Sequence, residues 1–156
     1  MMIRLVLIVV TTLPGCAGYV PGRQSYWDAE VRRLCSMDGG VQILQQVRLS
    51  KSEIGLLETI GGEVDVPNRR IAHPQAPLYS DLTVTTLKSE GSISIWRAES
   101  VIKERRSDSI VARWVVYTRS GGDIPSPAHG SSYVCPDPTQ ITKDLQRLFI
   151  VSEEAR

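Results

Sequence analysis

The sequence predicts an α+β fold, a small antiparallel sheet of about four strands packed against an N-terminal and a C-terminal helix. Three observations lead there: apolar residues recur at helical spacing early in the chain, period-two alternation dominates its middle, and a second helical stretch follows the last cysteine. A length of 156 residues and a hydrophobic fraction of 42% suit one modest core. With a single Phe149 and three tryptophans, that core rests mainly on Ile, Val and Leu.

In chain order, Ser25 offers a helix cap with Asp28 three positions on, and Trp27, Val31, Leu34 and Cys35 then share one face. Asp38-Gly39-Gly40 stops this helix, because glycine tolerates the left-handed backbone of a helix end. Val41, Ile43, Val47 and Leu49 keep period two and predict a strand, with a bulge where Leu44 and Gln45 swap the pattern. A short helical turn is expected over Ser52 to Glu58, weakened by Gly55 and ended by Gly61-Gly62. Residues 61–80, with Pro67, Pro74 and Pro77, read as a long irregular loop.

Three more strands are expected over Leu82 to Lys88, about Ser92 to Lys103, and Ile110 to Arg119. Ser107-Asp108 sets a hairpin between the last two. In the last strand Ile110, Ala112, Trp114 and Val116 share one face, and Val111, Val115 and Tyr117 lie with Arg113 and Arg119 on the other. Asp137 or Thr139 then starts a final helix running through Leu145, Leu148 and Phe149.

The N-terminus has a different character. Met1 to Arg4 is a short positive start and Leu5 to Leu13 an apolar run, the pattern of a secretory signal. The run is shorter than the roughly 20 apolar residues a membrane span needs, and Pro14 closes it. The residues Leu13-Pro14-Gly15-Cys16 resemble the lipobox of bacterial lipoproteins, with Pro14 where Ala, Ser or Thr is more usual. The resemblance implies a signal peptide over 1–15, cleavage before Cys16, and diacylglycerol and palmitate-type chains on that cysteine. Two or more such chains anchor stably, since each buried methylene adds about 0.8 kcal/mol. Residues 16–24 then form a lipidated tether, with Gly18, Pro21 and Gly22 keeping it flexible, and 25–156 a single domain. Ala17 after the cysteine implies sorting to the outer membrane, facing the periplasm. The alternative is an ordinary secretory signal that happens to contain a cysteine.

With Cys16 lipidated, Cys35 and Cys135 remain in an oxidising compartment, where a disulfide between them is the economical expectation. The rival, free or metal-binding thiols, lacks a second Cys or His at zinc spacing. Removing residues 1–15 takes away Arg4 and leaves 17 basic against 17 acidic side chains. The basic clusters Arg69-Arg70 and Lys103 to Arg106 are short, so no nucleic-acid partner is expected.

Arg119 to Pro136, RSGGDIPSPAHGSSYVCP, is the most unusual stretch. Its Gly-Gly-Asp-x-Pro-x-Pro-x-His-x-Ser-Ser-x-x-Cys-Pro pattern over Gly121 to Pro136, with Cys-x-x-x-Gly-Gly over Cys35 to Gly40, resembles a family of small, uncharacterised proteobacterial lipoproteins. Ser126 and Gly130 depart from that pattern. The resemblance implies one domain and an envelope location, and no mechanism.

Two functional readings follow. The first is a non-enzymatic envelope module with a protein or envelope partner, or a purely structural role. The second is a small hydrolase or ligand-binding enzyme in which Asp123, His129 and Ser131 or Ser132 form the site. Nucleophilic catalysis needs a base within hydrogen-bond reach of the hydroxyl, and no Gly-x-Ser-x-Gly elbow places a serine. Asp123 capping backbone amides and His129 meeting a buried carbonyl explain the same residues structurally. A metal site on His73 and His129 has the ligand type but no acidic cluster, so neither metal nor cofactor is expected.

Overall fold

The computed structural model describes residues 23–121 and 131–152. It is mixed helix and strand, with a mainly antiparallel sheet and three helices. The chain runs α1 (Arg23–Asp38), β1 (Gly40–Ile43), β2 (Val47–Ser50), α2 (Lys51–Ile54), β3 (Glu58–Ile60), β4 (Glu63–Asp65), β5 (Leu78–Glu90), β6 (Ile93–Glu104), β7 (Ile110–Ser120), β8 (Ser132–Cys135), α3 (Pro138–Leu145), a 3-10 turn (Gln146–Leu148) and β9 (Phe149–Ser152).

The principal sheet has five strands, in the order β1-β7-β6-β5 with β8 also on β7. The outer edge of β7 is shared: β1 pairs with Ala112 to Val115 and β8 with Tyr117 to Ser120. β5, β6 and β7 are the long strands, and Asp108 in left-handed backbone (φ 53°) turns β6 into β7 at the expected Ser107-Asp108 position. Two small sheets complete the fold, β3 with β4 antiparallel and β2 with β9 parallel.

Several expectations are corrected. The single strand over 41–49 is two strands in different sheets: Leu44 and Gln45 both donate backbone N–H to the Val111 carbonyl, which ends β1 and frees Val47 onward to pair with β9. The expected bulge is in fact a crossover between sheets. The short helix starts earlier, at Lys51, because Ser50 caps it and Glu53 closes a capping box back to Ser50. Gly61-Gly62, both at positive φ, form the turn of the β3–β4 hairpin rather than a helix stop, so the irregular segment shrinks to 66–77. α3 begins after its Asp137 cap as expected but ends at Leu145, and Phe149 lies in a strand. α1 already includes Arg23, so Ser25 is inside it.

Two apolar clusters hold these elements. Trp27, Val31 and Cys35 of α1 pack with Ile93, Ile95, Val115 and Tyr117. Ile141 and Leu145 of α3, with Leu148, pack with Leu49, Leu78, Ile102 and Ala112, and Trp114 and Val116 border that cluster. Full burial of a side chain such as Val31 stabilises by roughly 1.5–3 kcal/mol.

Candidate functional site

The end of the sheet where β7 stops and β8 starts gathers the most unusual polar chemistry. β7 places Val115, Tyr117 and Arg119 on one face, and Arg119 follows the two apolar side chains into the interior, where it is 1% exposed. An isolated charge there is costly, so it must be paired. Its Nε donates to Asp28 Oδ1 of α1 at 2.6 Å, and Nη1 donates to the Gly121 carbonyl and to Ser131 Oγ (3.0 Å). Gln24 Nε2 donates to the same Ser131 hydroxyl at 2.9 Å, and Gly121 N–H to the Ser131 carbonyl at 3.1 Å. One guanidinium thus ties the first turns of α1 to both residues that flank 122–130.

Glycine is required at this neck. Gly121 has φ 82°, and a Cβ there would run into the Ser92 carbonyl of the β5–β6 turn. The other glycine pair, after α1, has an equally local cause. A Cβ on Gly39 would come within 2.6 Å of the Cys35 carbonyl oxygen and 2.8 Å of its Sγ, while Gly40 has φ 109°. The Cys-x-x-x-Gly-Gly spacing lets the chain turn back against its own cysteine.

Cys35 and Cys135 are joined, with Sγ atoms 2.08 Å and Cα atoms 5.9 Å apart. The bond links α1 to the end of β8 away from the neck, since Cys135 faces Tyr117, three register positions from the Ser120–Ser132 pair.

At the other end of α1, Tyr117 donates to Asp38 Oδ1 (2.6 Å), and Arg97 reaches Asp38 Oδ2 (2.9 Å) and Glu99 Oε2 (2.7 Å). The Tyr117 hydrogen bond, then Arg97, lowers the Asp38 pKa below the usual carboxylate value. Burial, then Asp38, raises that of Tyr117, and Glu99 with Asp38 raises that of Arg97. This group borders a cleft of about 230 Å³ that includes Gln42 and Arg113. An apolar groove of about 440 Å³ lies along α3, lined by Trp114, Val116, Val134 and Ile141 among others.

Of the residues chosen from sequence, Cys16, Asp123 and His129 lie outside the described residues. Ser131 accepts at the neck from Arg119 and Gln24, and Ser132 is an exposed β8 residue opposite Ser120. His73 is exposed, its Nδ1 accepting from the Gln75 N–H at 3.2 Å. No group of three or more His, Cys, Asp or Glu among the described residues is arranged to hold a metal ion. No helix among them is long and apolar enough to cross a membrane. The sequence reading missed Arg119, Asp28 and Gln24. The available signal was Arg119 in phase with Val111, Val115 and Tyr117, but Arg113 shares that parity and is exposed, so parity alone did not single out Arg119.

The fold is thus a mixed helix and strand domain built on a mainly antiparallel sheet. Comparison with protein-family models, with curated proteins and with solved structures finds no match for the chain.

Proposed function

We propose that the chain is a bacterial envelope lipoprotein, cut before Cys16, held at the membrane by acyl chains on that residue, and serving as a non-enzymatic binding or structural module. The observation that carries this is the join of Cys35 to Cys135, which leaves Cys16 of the lipobox-like segment as the third and only other cysteine. Such a pair persists in oxidising compartments and is rare in the cytosol. The two polar clusters support a non-enzymatic module, because Arg119 pairs with Asp28, and Arg97 with Asp38 and Glu99, in contacts that fix helix and strand. In this reading α1 and α3 lie on opposite faces of the sheet, α1 against Val115 and Tyr117 and α3 beside Trp114 and Val116, since neighbouring strand residues point to opposite sides.

Intact mass of the protein expressed with its own signal in a bacterial host, beside Cys16→Ser, tests it. The expected result is a mature chain starting at Cys16 with added acyl mass, lost in the variant. A mature chain of unmodified mass overturns the anchor.

A further inference from the structure

Three connections meet at one end of the principal sheet: the start of α1, the turn between β5 and β6, and the neck at Gly121 and Ser131. The register fixes this, with Glu90 opposite Ile93, Ser94 opposite Ser120 and Ser120 opposite Ser132. Gln24 and Asp28 hold α1 to the same end through Ser131 and Arg119. Here Lys88 Nζ sits 4.1 Å from the centre of the Trp27 ring, and Tyr26 meets Trp27 edge-on at 4.8 Å. Tyr26 is nonetheless 64% exposed, and Leu87, skipped by the β5–β6 register between Thr86 and Lys88, is 44% exposed.

We infer that this end of the sheet faces the bilayer, with Tyr26 and Leu87 seated at its interface. The inference rests on the lipid-anchor reading above, because it is the tether that selects this end. The seven residues 16–22 reach at most about 25 Å and deliver the chain to Arg23, the first residue of α1. β6 alone extends about 40 Å from there to the Arg105–Ser107 turn, at roughly 3.3 Å for each of its 12 residues. A tyrosine with an apolar body and polar tip on α1, and on β5 a leucine followed by a lysine with a long apolar stem, suit the headgroup boundary. Lys88 is paired with Glu90 at 3.2 Å, so its charge is offset, and no run of basic side chains lies beside it in β5. Seating therefore depends on apolar contact and is insensitive to salt, unlike that of a polybasic segment.

The test uses the full chain, its acylation first checked by mass, in vesicles of phosphatidylethanolamine and phosphatidylglycerol. An environment-sensitive dye is placed in turn on Leu87→Cys, Ser92→Cys and, at the far turn, Arg106→Cys, and is quenched by brominated acyl chains. The expected result is several-fold stronger quenching at Leu87 and Ser92 than at Arg106, unchanged by high salt, and weakened at Ser92 by Tyr26→Ser. Acylated protein with equal quenching at all three positions overturns the orientation and leaves the anchor standing. A chain without acyl mass overturns both, and the mass measurement tells the two failures apart.

Discussion

Arg119 shows how much one side chain decides at this sheet end. Its charge lies deeper than any other described here, and Asp28 is the carboxylate that compensates it. Asp28→Ala leaves that charge buried without its partner, and removal of one member of a buried pair costs about 3–5 kcal/mol. The expected outcome is a matching fall in urea-unfolding free energy, with Asp28→Asn losing less because it keeps an acceptor. An Asp28→Ala protein as stable as the wild type would show that Arg119 is not held by this pair. Gly39 and Gly121 belong to the same scale, since each sits where a single methyl group meets backbone.

At the scale of elements, a small polar contact sets a boundary. Ser50 ends β2 and starts α2, its hydroxyl accepting from the Glu53 N–H at 3.2 Å while Glu53 Oε2 accepts from the Ser50 N–H at 2.9 Å. Ser50→Ala is expected to cost about 1 kcal/mol in thermal or chemical unfolding, and no measurable change would remove the cap from the account of this turn. The elements also show what the sequence could convey. α1 and the three long strands were legible because Trp27, Val31 and Cys35, and the alternation along β6 and β7, carry local periodicity. The split of 41–49 was not, because β1 ends on the Val111 carbonyl, a partner 67 positions beyond Leu44. β8 was missed because its four residues, Ser132–Cys135, are too few to show a period. Phe149 read as helix because apolar residues at 145, 148 and 149 fit a helical face, and only pairing with Val47 draws it into a strand. Of the candidate site, the cysteines and glycines were legible by type, whereas the Arg119–Asp28 pair depends on two elements 91 positions apart.

For the whole molecule, the Cys35–Cys135 bond encloses a separation of 100 residues, which contains β1 to β7. The chain-entropy model gives a loop of that size roughly 4–5 kcal/mol. Unfolding with and without a reductant is expected to show a large drop in midpoint on reduction, and coincident curves would mean that packing alone fixes α1 on β8. The parallel pair β2–β9 lies across this enclosure and binds Val47–Ser50 to Phe149–Ser152. A ribosome releases the chain from its N-terminus, so β2 emerges early and has no strand partner until nearly a hundred further residues have been made. Until then the newborn polypeptide carries an unsatisfied strand edge, a template for wrong pairing.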